Sequence, residues 1–427
     1  MLGVKTAALP ASLRRTNQRT VISFLLRLGS ASRADLAKAA GISQPTAGKI
    51  IAELLRLGIL QEAGSALEQG DNSSAGSPRL GRPGQLLRLD CRQPRFVAIQ
   101  LGVQLTSVSA LPVAITLADK WAATFPTPKS PEAWVKKLRT IARQIGGSQL
   151  WGVLVSVPGI VDENAGKVLF SPNLHWSEKT SLPELVRQAW DLPVLLVQEI
   201  RALALGHLTA YPGGEDFLLV DFGEGVGGSI VLEGKLYPHP MPLSGEFGHT
   251  PVLGNGRRCG CGAVGCLETL VSQTGLLESF AASRTSSGGP WKNSCFTARN
   301  HAAQSETAGG FPQWKTLVES VRVAGIEPWL AETLDAAATI IAGALNVLGV
   351  HRVIVTGSLC ELPGCVEYLA AGINKGAMWG RFGQVVCQSA PHRRAAGLVA
   401  AGIDRLILPA GVSSALAPSL TRTLTSK

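Results

Sequence analysis

Residues 248–268, GHTPVLGNGRRCGCGAVGCLE, bring one histidine and three cysteines into a single glycine-rich stretch. A redox pair, a disulfide staple and a metal site would each explain it, and each constrains the fold differently. The chain holds eight cysteines in 427 residues, far from the density of a disulfide scaffold. Its start, MLGVKTAALPASLRRTNQRT, lacks the apolar stretch of a secretory signal. No run approaches the roughly 20 apolar residues of a membrane span. The expected setting is the cytoplasm, with no membrane partner. Thiols there stay reduced, which favours metal or plain burial over a disulfide. No Cys-x-x-Cys redox pair occurs in the stretch.

Charge divides the rest of the chain, which is too long for one core. Up to Arg95 there are 14 Lys and Arg against 6 Asp and Glu; the remaining residues carry 26 against 24. A basic end on a nearly neutral body suggests that this end meets a polyanion. Its pattern agrees. Asn17 to Leu28 places Val21, Ile22, Leu25 and Leu28 on one helical face. Ser32 and Asp35 form a capping box for a second helix, which Gly41 ends. Ser43 caps a third helix, with Pro45 in its first turn. Two short helices joined through a glycine turn make a helix-turn-helix. The second of them presents Gln44, Thr46 and Lys49 to a major groove. GILQEAG and QLLRLD read as the strands of a wing whose loop carries Arg79 and Arg82, placed to enter a minor groove. The reading is an α+β winged helix-turn-helix over residues 12–90, bound to double-stranded DNA as a dimer.

From residue 94 to 408 strands and helices alternate, the mark of an α/β domain. RFVAIQLG and SVSALPVAITL read as paired strands, EDFLLVDFGEGVGGSIVLEGKLY as a hairpin, and LAETLDAAATIIAGALNVLG as a long helix. Residues 281–312, rich in Ser, Gly and Ala, read as a flexible insertion, and 409–427 as a disordered tail. The segments GEFGHTPV, CGCGAVGCLE, VPGIVDENAGKVLFSPNLHW, GEGVGGSIVLEGKLY and VTGS resemble the ROK family of repressors, open reading frames and sugar kinases. With NQRTVISFLLRLGSASRADLAKAAGIS and GRPG in front, the chain is similar to that family's transcriptional repressor branch. The resemblance runs from about Leu13 to about Leu408.

That resemblance implies an actin-like (ribonuclease H-like) pair of lobes around a sugar-binding cleft. It also implies that His249, Cys259, Cys261 and Cys266 together bind one structural Zn2+. Three thiolates and an imidazole fill a tetrahedral shell with no open position, which agrees. Arg257 and Arg258 are expected to offset the thiolate charge. The implied sugar-binding residues are Asn173, Glu199, Glu246, His249 and Glu268, with Trp176 nearby. Where the family's kinases carry Asp-x-Gly-Gly-Thr, this chain has Gln100-Leu101-Gly102-Val103-Gln104. Where they carry Asn-Asp, it has Gln198-Glu199, which leaves Glu199 at the place of the catalytic base. The expected protein is a sugar-responsive repressor rather than an enzyme, a homodimer or higher homo-oligomer. A sugar kinase with an attached DNA-binding module is the alternative.

Overall fold

A computed structural model describes residues 10–65, 85–114, 119–145, 149–211, 215–237, 245–284 and 313–408. Residues 66–84, with Arg79 and Arg82, most of residues 281–312, expected as an insertion, and residues 409–427, expected as a tail, therefore lie outside the described residues.

The basic end contains α1 (Pro10–Leu28), β1 (Ser30–Ser32), α2 (Arg33–Ala39), α3 (Gln44–Arg56), β2 (Leu60–Ser65) and β3 (Gln85–Leu89). The strands form an antiparallel sheet in the order β1–β3–β2. Local chemistry sets the helix starts. Ser32 Oγ accepts from the Asp35 N–H at 3.2 Å, which caps α2, and donates to the Asp35 carboxylate at 2.6 Å. Ser43 Oγ accepts from the Thr46 N–H at 3.3 Å. Between the two helices Gly41 takes φ +62°, which a side chain would resist. Apolar spacing suggested that α1 begins near Asn17, but the helix starts at Pro10. Ion pairs support the extra turns: Arg14 meets Glu53 of α3 at 2.6 Å, and Arg15 meets Asp404 at 3.2 Å.

The first lobe is built from β4 (Phe96–Leu101), β5 (Leu105–Leu111), β6 (Ala123–Pro126), α4 (Pro131–Ile145), β7 (Gly152–Val157), β8 (Ile160–Asp162), β9 (Lys167–Phe170), α5 (Leu182–Arg187), β10 (Val194–Gln198) and α6 (Glu199–Ala210). β5 stops one residue before Pro112, which has no N–H to continue the ladder. The second lobe contains β11 (Phe217–Phe222), β12 (Val226–Leu232), β13 (Lys235–Leu236), α7 (Glu268–Val271), α8 (Gln273–Arg284), α9 (Trp314–Ala324), α10 (Pro328–Leu348), β14 (Arg352–Gly357), α11 (Cys365–Gly376) and β15 (Val386–Ser389). α12 (Arg394–Gly402) then returns to pack on α6.

The two large sheets share one plan. Their orders are β6–β5–β4–β7–β10 and β13–β12–β11–β14–β15. In each, the first strand pairs antiparallel with the second and parallel with the fourth, and the fourth pairs parallel with the fifth. The cleft lies between these lobes. α10 is long and apolar enough to span a membrane by composition, but its Leu330, Leu334, Ile341 and Leu345 are buried in the second lobe's core. The basic end does not hang free. Val21, Leu36, Ile51 and Leu54 share one apolar cluster with Phe96, Trp151, Leu398 and Leu406 on the back of the first lobe.

Candidate functional site

The cleft encloses about 300 Å3. Its first-lobe side is lined by the Gly102–Val103 turn, Pro158, Gly159, Asn173, Gln198 and Glu199. Gly223, Glu224, Glu246, His249 and Glu268 line the second-lobe side. All five residues expected to hold a sugar therefore line one cavity. Planar polar groups with the apolar walls of Ile160, Phe170 and Ile200 suit a polyhydroxy ligand. Asn173 is exposed at the cleft edge, and the carboxylates of Glu199, Glu246 and Glu268 are half-buried. Burial, and then the neighbouring Glu268, push the pKa of Glu246 up, while His249 opposes the shift. Glu268 heads α7 and accepts from the Val226 N–H at 3.0 Å. Trp176 departs from expectation. It packs half-buried on Trp134, with ring centroids 5.6 Å apart, against the first lobe's core and outside the cleft lining.

His249, Cys259, Cys261 and Cys266 converge beside the cleft, with their ligand atoms all within 4.8 Å of one another. Cys261 Sγ and Cys266 Sγ are 3.7 Å apart, and Cys259 Sγ lies 3.6 Å from His249 Nδ1. Sulfur atoms sharing a disulfide would be about 2 Å apart. Donors at tetrahedral Zn–S and Zn–N lengths would be about 3.8 Å and 3.6 Å apart. The residues fit zinc. Burial pushes the Cys259 and Cys266 thiols up, so a cation among them would supply the charge that holds them as thiolates. His249 Nε2 lies 3.7 Å from the Glu246 carboxylate, so the cleft lining and the cysteine cluster meet at one imidazole.

Arg257 does not flank the thiols as its position in the sequence suggests. It is fully buried, donates to the carbonyls of Thr269 and Gly275 at 2.7 and 3.2 Å, and ties the loop to α7 and α8. Arg258 is exposed. Gly260, between two of the cysteines, is a point of close approach: a Cβ there would lie 3.0 Å from Asn173 Oδ1. Gly260→Ala is expected to displace Asn173 and weaken binding of a polyhydroxy ligand in the cleft by up to about tenfold. Zinc content should stay unchanged, as metal analysis beside calorimetric titration would reveal.

Residues 96–403 match the family described as ROK. The chain belongs to the ROK family. The xylose repressor of Caldicellulosiruptor bescii is 28% identical over 278 residues, 62% of this chain and 66% of that repressor. The match thus spans just under two thirds of that relative's length. The DNA-binding transcriptional dual regulator NagC of Escherichia coli is 24% identical over 274 residues, 62% of this chain and 64% of the relative. A crystal structure of a ROK family transcriptional regulator, a homologue of the E. coli MLC protein, superposes with a TM-score of 0.66 at 18% identity. It covers 96% of this chain and 99% of its own, a likeness of fold.

Within this ROK cleft lie charged residues that sequence reasoning missed or left undeveloped. Arg394, at the start of α12 and buried, donates to the Glu199 carboxylate at 2.7 Å. Asp221, at the end of β11, accepts from Thr356 at 2.6 Å and pairs with His392 at 2.7 Å. Burial alone would raise the Asp221 pKa, but His392, Arg394 and Thr356 hold it below the usual carboxylate range. No local signal marks Arg394 or His392, because their partners are remote in sequence. Of the groups expected to face DNA, Gln44, Thr46 and Lys49 are exposed on α3.

Proposed function

We propose that this protein is a DNA-binding transcriptional repressor whose operator affinity is set by a sugar bound, unmodified, in the cleft. The basic end is read as a winged helix-turn-helix with α3 in the major groove, presenting Gln44, Thr46 and Lys49, and with Arg79 and Arg82 in the wing. The lobes are read as an actin-like pair, with His249, Cys259, Cys261 and Cys266 holding a structural zinc that orders the loop beside the ligand. The working unit is a cytoplasmic homodimer on a palindromic site. The names of the xylose repressor and of NagC support this reading.

One observation carries it: the apolar core that runs unbroken from α3 to α12, whose first residue reaches into the cleft. α12 ends in a π-helical turn, Ile403–Ile407, the kind of irregularity that often sits at functional sites. There Asp404 binds Arg15 and Arg19 of α1, and Arg405 binds Glu163. Glu163 also accepts from the Gln198 N–H at 2.8 Å and from Arg201 at 3.1 Å, both at the cleft end of α6. A sugar that bridges Asn173 and Glu199 to Glu246 and Glu268 would close the lobes, shift α6 against α12, and re-angle the paired α3 helices. Asp404→Asn is expected to leave sugar affinity intact and change the sugar's effect on DNA binding by about 2- to 30-fold. Paired titrations with and without DNA check this.

Catalysis is disfavoured by the same geometry. Arg394 holds one oxygen of the Glu199 carboxylate at 2.7 Å, which leaves a single oxygen to meet a hydroxyl. Turnover of sugar, ATP and magnesium is expected to match a Glu199→Ala control. The deciding experiment measures operator affinity by fluorescence anisotropy across a panel of unphosphorylated hexoses and pentoses. Affinity unchanged by every sugar, or turnover well above the control, would overturn the reading.

A further inference from the structure

The β4–β5 turn, Gly102 to Gln104, is built to receive an anion. Gly102 N–H donates to the Leu105 carbonyl at 3.0 Å, and Thr127 closes the other side by donating to the Gly102 carbonyl at 2.8 Å. The next two amides, of Val103 and Gln104, face the hairpin of the other lobe, with Val103 N–H leaving the turn to donate across the cleft, in the manner of a backbone anion nest. The nest is already filled. Glu224, at the tip of the β11–β12 hairpin of the other lobe, accepts from Val103 N–H at 3.1 Å and sits against the Gln104 amide. Burial and the facing Glu199 carboxylate push its pKa up, while the turn amides and Arg394 favour the charged form. We propose that Glu224 serves as a built-in anion, which occupies the backbone phosphate-type site of the cleft and keeps phosphate-bearing ligands out while joining the two lobes.

The charge around it points the same way. Asp221, Glu199, Glu224, Glu246 and Glu268 line the cavity against Arg394, His249 and His392. Among these, Arg394 is committed to Glu199 and His392 to Asp221. A phosphate group entering at the turn would lose the two amides to Glu224 and meet like charge. An uncharged polyol meets neither penalty. Glu224 is therefore a specificity-determining residue: it selects for neutral ligands and against nucleotides and phosphorylated sugars. An aspartate or glutamate in a glycine-rich hairpin turn reads in sequence as a solvated tip, because the turn whose amide donates to it lies far away in the chain.

The test uses the full chain and two probes, inorganic pyrophosphate and magnesium–ATP, titrated calorimetrically. It involves neither DNA nor sugar, so it stands or falls separately from the regulatory reading. Glu224→Ala frees both amides and is expected to bind pyrophosphate at least about tenfold more tightly than the unaltered chain. Glu224 is exposed, so the variant should fold, and a melting curve verifies this. Glu224→Gln keeps the side chain's volume while removing its charge, and should shift affinity in the same direction by less. Pyrophosphate binding by the unaltered chain within threefold of Glu224→Ala overturns the proposal. So does the absence of any gain in both variants.

Discussion

Cys261→Ser is expected to lower the melting temperature on the order of 10 °C and to strip the protein of its zinc. Cys261 is the informative position because its side chain is only half-buried, whereas Cys259 and Cys266 belong to the core. A serine at 261 removes little packing, so the loss reports on the metal itself. The loop also carries hydrogen bonds of its own, among them Asn255 Nδ2 to the Cys266 carbonyl at 3.1 Å and the Val252 N–H to the Gly265 carbonyl at 2.7 Å. Two isolated bridges, Pro251 with Cys266 and Arg258 with Val264, hold its strands together, and Arg257 anchors its base. Structural zinc contributes directly to folding, and three thiolates with one imidazole leave no position open for catalysis. Dialysis of the unaltered protein against a chelator should reproduce the drop in melting temperature, and added zinc should reverse it. Metal analysis of protein purified without chelators should find one zinc per chain. Less than about a tenth of an equivalent would remove the site from the account.

Glu246→Ala is expected to weaken sugar binding by about 10- to 100-fold, the range for losing a hydrogen bond to a charged group. Operator affinity without sugar should be unchanged, because no contact joins Glu246 to the basic end among the described residues. The sugar-driven change in DNA binding should then vanish at concentrations that saturate the unaltered protein. Glu246 stands between two tasks, lining the cleft and facing His249 Nε2 at 3.7 Å. Zinc content separates them. A variant that keeps its zinc and loses its sugar response supports direct ligand contact. Sugar affinity that is unchanged would remove Glu246 from the ligand site, and affinity lost only together with zinc would reduce its role to steering the imidazole.

Much of this molecule could be read before folding. The boundaries of α2 and α3 follow from Ser32, Asp35, Gly41 and Ser43, which act on the backbone within three or four residues. The Cys-x-Cys spacing brings two thiols within reach of one ion, while the full set with His249 and Cys266 was implied by the resemblance to the ROK family. The hairpin of β11 and β12 and the long α10 were legible from apolar runs and their glycine stops. The early start of α1 was not, because ion pairs to Glu53 and Asp404 support its first turns in place of an apolar stripe. The parallel strand order in each lobe also depends on partners that no short window contains.

The cleft shows the same division most clearly. Asn173, Glu199, Glu246, His249 and Glu268 could be nominated one by one from their motifs, and their meeting in one cavity is a tertiary fact. Only the folded chain turns Trp176 onto Trp134, sinks Arg257 against α8, clamps Glu199 with Arg394 and carries Glu224 across to the Val103 amide. The physical reason is range. Caps, turns and ligand spacings are decided by atoms a few bonds apart, so the sequence by itself determined them. The partner of a buried charge is decided by which helix packs beside it, and that choice belonged to the assembly of the two lobes.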